Sequence, residues 1–237
     1  MPAPVLALRD VSKDYRGLRP LRIRQFDLHD GEAVALVGFD QITAEVFVNL
    51  VTGATVPDAG EVRVFGQSTS AIANADAWLE SLDRFGILSE RAVLLDQLTT
   101  LQNLAVPLTL ELDPIPDAPR ARAAALAEEV GLEAADLPRA VAQLTPAARL
   151  RLRLGRALAL DPRVLLAEHP NASIPAGDVP AFAADLSAIV ARRGLACITL
   201  TADRTFAAAV ADRILTLQPA TGDLTKGGSG WRRLFGG

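Results

Sequence analysis

Short runs of aliphatic residues recur at positions 33–37, 164–166, 196–201 and 214–217. Each is followed by turn residues or by a segment of helical periodicity, and continuous apolar runs of this length read as strands buried on both faces. Segments 44–51, 147–160, 179–192 and 203–210 have the spacing of helices laid on such a sheet. The alternation predicts an α/β core. Between 99 and 142 the pattern changes to a stretch rich in Ala, Leu and Arg, with a proline-bearing break at 113–119, which predicts a helical subdomain inserted into that core. From Thr225 onward the Gly227-Gly228-Ser229-Gly230 run predicts a flexible tail. The tail's Trp231-Arg232-Arg233-Leu234-Phe235 run suits either a disordered end or a membrane interface. No internal repeat is visible.

Composition narrows the chemistry. The 237 residues carry a net charge of -4, so no general basic excess is available for nucleic acid, and none is expected as a partner. One cysteine, Cys197, excludes an internal disulfide and suits a reducing compartment; with only His29 and His169 beside it, a structural zinc site is not expected. At 5% aromatic residues, the core must be aliphatic and alanine-rich. The opening MPAPVLALRDVSKDY brings charge in before an apolar segment of signal-peptide length, and no later stretch reaches membrane-spanning length, so a cytoplasmic location is expected.

The predicted strand ending at Val37-Gly38 leads through a loop into a helix, the arrangement in which backbone N–H groups converge on a phosphate. In the frame G-x-x-x-x-G-K-[S/T], Gly38 supplies the first glycine. Thr43 stands at the second glycine, Ala44 at the lysine and Glu45 at the magnesium-binding hydroxyl. Before this loop comes Asp10-Val11-Ser12-Lys13-Asp14-Tyr15, and after it the turn Gly53-Ala54-Thr55-Val56-Pro57-Asp58-Ala59-Gly60, Phe85-Gly86-Ile87-Leu88-Ser89-Glu90, Leu144-Thr145-Pro146-Ala147-Ala148, Leu165-Leu166-Ala167-Glu168-His169-Pro170 and Thr201-Ala202-Asp203.

In this order and spacing the chain resembles the ATP-binding cassette (ABC) transporter ATPase family over nearly its whole length. The resemblance implies a P-loop NTPase-like fold, with a RecA-like core, an N-terminal antiparallel β part and an inserted helical subdomain. It implies one nucleotide-binding domain over 1–224, its core formed by 1–90 and 149–224 and its helical part by about 91–148, followed by a tail over 225–237. It also implies ATP and magnesium as cofactors and Tyr15 as the adenine-stacking residue. Glu90 stands in the Q-loop, Glu168 and His169 at the Walker B aspartate and catalytic glutamate, and Ala202 at the switch histidine. Thr145, Pro146, Ala147 and Ala148 stand at the signature, and Pro175 near the D-loop aspartate. The implied partners are a membrane permease and a second cassette, identical or different, at the inner face of the cell membrane.

The residues at these positions argue against the family's chemistry. Ala44 has neither the lysine's charge nor its reach. Asp40 and Glu45 bring negative charge to a phosphate site, and one such contact at about 4 Å costs roughly 4 kcal/mol at an effective dielectric of 20. Glu45 also reads as a simple helix-end acid. Glu168 is able to hold magnesium through water. His169 is read as a structural loop residue, with a general base as the alternative. Pro146 lacks the N–H that a phosphate clasp needs, yet Thr145-Pro146 remains a good helix start. Arg149, Arg151, Arg153 and Arg156 are read as a solvated helix surface. Tyr15 serves either packing or adenine stacking. Leu94, Leu95 and Leu98 are either core or a docking surface for the membrane subunit. The reading is a catalytically degenerate cassette acting as a structural or regulatory subunit of a transport complex. The alternatives are a slow ATPase using Glu168 and His169, and a soluble scaffold for another protein.

Overall fold

The computed structural model describes residues 3–226. Near the start of the chain, β1 (Leu6–Lys13) and β2 (Leu21–Leu28) pair antiparallel, and β3 (Ala33–Val37) leaves them for a second sheet. After α1 (Gln41–Val51), β4 (Ala59–Val64) and β5 (Gln67–Ser68) return to the first sheet, which has the order β2-β1-β4-β5. Next come α2 (Ala75–Leu82), β6 (Phe85–Leu88), α3 (Thr100–Ala105), α4 (Asp117–Glu129) and α5 (Pro146–Ala157). The chain then runs through β7 (Val164–Glu168), α6 (Val179–Arg193), β8 (Ala196–Leu200), α7 (Arg204–Val210), β9 (Arg213–Gln218) and β10 (Asp223–Lys226).

The second sheet has the order β10-β9-β3-β8-β7-β6 and is parallel except for β10. Its central strands β7 and β8 are buried at every position, which is why their sequences are unbroken apolar runs. Side-chain alternation divides each strand between two cores. Leu165 and Ala167 of β7 join the cluster formed with α3 to α7, while Val164 and Leu166 join α1 and the antiparallel sheet.

Four features differ from the sequence expectations. Helix α1 starts at Gln41, ahead of the predicted position 44, because Asp40 caps it. Glu45 is therefore not the residue at the helix end. Thr225 and Lys226 belong to β10, paired with Thr216 and Leu215, so the chain stays in the sheet beyond the predicted start of the tail. The rest of the tail, including Trp231 to Phe235, lies outside the described residues.

The arginines of α5 do not form a solvated face. Arg149 Nη2 donates to Ala142 O at 2.9 Å, and Arg151 Nη1 to Val130 O at 2.6 Å. Arg153 Nε donates to Ala92 O at 3.4 Å and Arg156 Nη1 to Val93 O at 2.6 Å. These side chains satisfy carbonyls of neighbouring loops that have no ladder partner, which fixes the loops to the helix.

Candidate functional site

The loop from β3 into α1 is short. Gly38 sits at φ 93°, and a Cβ there would lie 3.2 Å from Leu217 O, so both conformation and space favour glycine. The next residue, Phe39, turns into the core and meets Phe47 edge-on with ring centroids 5.6 Å apart. Asp40 then caps the helix: its Oδ1 accepts from Thr43 N and from Thr43 Oγ1, both at 2.7 Å. These bonds, backbone first, hold the Asp40 carboxyl below the usual carboxylate range, and burial opposes them. The positive end of the helix thus faces a carboxylate from the chain itself. Ala44, at the lysine position, is fully buried.

At Glu45 of α1, three side chains remote in sequence meet. Arg91, in the segment between β6 and α3, binds Glu168 at the end of β7 through two nitrogens. Its Nη2 lies 2.5 Å from Oε1 and its Nε 3.1 Å from Oε2. Its third nitrogen, Nη1, lies 3.1 Å from Glu45 Oε1. Ser89 Oγ donates to Glu168 Oε2 at 2.8 Å and accepts from the Arg91 N–H at 3.2 Å. The hydrogen bond to Glu168 raises the Arg91 pKa, with the charges of Glu168 and Glu45 adding to it and burial working against it. At the family positions for magnesium, both carboxylates therefore already face a guanidinium. The residues present do not fit a divalent metal there.

A cavity of about 310 Å³ lies beside this cluster, with Asp40, Glu90, Glu168, His169 and Ala202 on its wall. The fold brings these five sequence-predicted positions together. Tyr15 lies outside that wall. Its ring packs on the antiparallel-sheet core against Gly17, and burial followed by the Asp40 charge raises its hydroxyl pKa. Thr145, Pro146, Ala147 and Ala148 start α5 and do not line the cavity; Thr145 Oγ1 accepts from Ala148 N at 3.1 Å, as the cap reading requires.

His169 is held with φ 42°, its N–H donating to Leu200 O at 2.8 Å. Its Nε2 is buried and has no hydrogen-bond partner among the described residues. Beyond Ala202, the neighbouring polar groups are tied to one another. Asn171 Nδ2 donates to Asp203 Oδ2 at 3.1 Å, and Thr201 Oγ1 donates to Asn171 Oδ1 at 3.1 Å.

Sequence reasoning missed Arg91. Its one signal was its place directly after Glu90 in the Q-loop segment, and nothing local reveals which carboxylates it reaches. Of the three leucines in that region, Leu94 is core, Leu98 is half-buried and Leu95 is exposed, and Val93 beside them is exposed at 72%. Among the described residues no helix is long and apolar enough to cross a membrane, and no group of three or more His, Cys, Asp and Glu is placed to hold a metal ion.

The family model described as ABC transporter matches residues 21–172. The lipoprotein-releasing system ATP-binding protein LolD of Pseudomonas fluorescens is 32% identical over 174 residues, covering 72% of this chain and 76% of that protein. The methionine import ATP-binding protein MetN of Brucella abortus is 28% identical over 218 residues, 91% of this chain but only 58% of its own length. A solved dimeric structure of a bacterial ABC transporter cassette aligns with a TM-score of 0.77 at 21% identity, covering 93% of this chain and 97% of that one. The cbiO1 protein of Clostridium perfringens, part of the ABC transporter complex cbiONQ, aligns with a TM-score of 0.79 at 17% identity, covering 94% of this chain and 88% of that one. By family model, relatives and fold together, this chain belongs to the ABC transporter family as an ATP-binding-cassette subunit.

Proposed function

We propose that this chain is a catalytically degenerate cassette, a structural or regulatory subunit of a membrane transport complex that hydrolyses no ATP itself. The observation that carries the reading is the Asp40 carboxylate seated on the N-terminal amide and hydroxyl of Thr43. A phosphate at that helix end competes with a covalently tethered anion and meets it as a like charge. Buried Ala44 supplies no compensating cation. The division into a core of 1–90 and 149–224 and a helical part of about 91–148 belongs to the same reading, as does a location at the inner face of the membrane.

The proposed partner is a permease subunit, alongside a second cassette. Support comes from a cavity of about 210 Å³ whose walls include Ile87, Leu94, Pro107 and Leu160. Around it stand the exposed side chains of Val93, Leu95 at 43% and Leu160 at 47%. An apolar groove of this kind suits a short amphipathic helix.

Thermal melts with and without Mg-ATP test the nucleotide half. A ligand at a hundred times its dissociation constant adds about 2.7 kcal/mol of stability, so the expected result is no saturable shift. A saturable shift would overturn the reading. Co-purification with a membrane subunit, lost when Val93 and Leu95 are changed to Asp, tests the partner half.

A further inference from the structure

Arg91 stands where three elements meet, since Glu45 rides on α1, Glu168 ends β7, and Arg91 itself belongs to the connection from β6 to α3. Glu168 is only 6% exposed, whereas the Glu45 side chain is 44% exposed, so one guanidinium bridges a buried carboxylate and a half-exposed one. Each guanidinium nitrogen is used: two on Glu168 and one on Glu45. Ser89 closes the arrangement, donating to Glu168 and accepting from the backbone of Arg91, so the cation is held by the same segment that carries it.

We propose that Arg91 is a built-in cation. It takes the position between the α1 and β7 carboxylates that the family gives to a divalent metal, and it thereby holds segment 89–95 in one geometry without metal or nucleotide. The segment is tied from its other side as well. The carbonyls of Ala92 and Val93 accept from Arg153 Nε at 3.4 Å and Arg156 Nη1 at 2.6 Å, both on α5. The side chain of Arg91 thus reaches the end of β7 while the next two carbonyls are bound to α5. Val93 and Leu95 are presented from a strut whose two ends do not wait for a ligand.

The inference concerns the free chain and is independent of the docking reading. Its test uses the full chain and manganese chloride alone, with no nucleotide in any arm, so its failure is distinct from failure of the Mg-ATP test. Millimolar manganese is expected to leave the melting temperature of the parent unchanged. Arg91→Ala leaves two carboxylates facing each other, so it is expected to melt several degrees lower and to recover at least half of that loss in manganese. Amide exchange across 89–95 is expected to accelerate about tenfold in the variant and to slow again with the metal. Adding Glu45→Gln to Arg91→Ala is expected to restore stability and to abolish the manganese response.

Should Arg91→Ala fail to fold, folding of the double variant Arg91→Ala, Glu45→Gln supports the like-charge account, and equal failure of both overturns it. A manganese shift in the parent as large as in the variant overturns the inference. So does an Arg91→Ala protein that melts and exchanges like the parent, or one that is destabilised with no recovery in manganese.

Discussion

Arg193 grips Glu129 with two nitrogens, Nε at 2.8 Å from Oε1 and Nη2 at 2.5 Å from Oε2, and so joins α6 to α4. Arg192 Nη2 adds a third donor at 2.9 Å. The Arg193 hydrogen bonds are the largest influence on the Glu129 carboxyl, which is held at about 2 against an ordinary 4.5. A carboxyl depressed in the folded state contributes stability that is present above its unfolded pKa and is lost as pH falls through the folded one. The window here is pH 4.5 down to about 2. Urea melts across that window are expected to show the parent losing about 1 to 3 kcal/mol more than Glu129→Gln. Parallel loss in the two proteins would mean that the pair carries no such linkage.

Asp40 is expected to act as an ordinary helix cap as well as a tethered anion. Asp40→Ala should destabilise the chain by about 1 kcal/mol, and Asp40→Asn by a few tenths, because Asn keeps an acceptor for the Thr43 amide. Chemical denaturation read by circular dichroism measures both. An Asp40→Ala protein as stable as the parent would remove the cap from the account of this site.

Arg156 and the Val93 carbonyl make a second measurable pair. Burial lowers the Arg156 pKa, and its Nη1 donates to Val93 O at 2.6 Å. Arg156→Ala should cost about 1 kcal/mol and speed amide exchange at 92–95 while leaving β7 and β8 protected. Uniform acceleration over the whole chain would instead mean a general loss of packing.

Cys197 is fully buried in β8, and burial pushes its thiol up to about 12. Because the thiolate is the reactive form, a thiol reagent at pH 8 is expected to leave the folded protein unmodified and to label one site after denaturation. Rapid labelling of the folded chain would contradict the burial.

Much of the fold was legible because it is written locally. The run 33–37 becomes β3 with the same bounds, and Thr145-Pro146 starts α5 with the expected cap. The candidate site was legible only as a set of positions. Glu90, Glu168, His169 and Ala202 were singled out by their place in a motif order and Asp40 by its charge in the loop, and the fold gathers them on one cavity wall. The arginines of α5 were misread because a charged side chain at helical spacing gives no sign of whether a loop carbonyl lies within its reach.

By itself the sequence determined the α/β core, the family frame and the loss of the phosphate-binding lysine at Ala44, since periodicity and residue identity are properties of short stretches. Only the tertiary structure decided that Asp40 caps α1 and that Arg91 neutralises Glu168 and Glu45. Those outcomes depend on which groups from distant segments arrive within about 3 Å of one another. Electrostatic and hydrogen-bond energies fall too steeply with distance and exposure for sequence spacing to decide them.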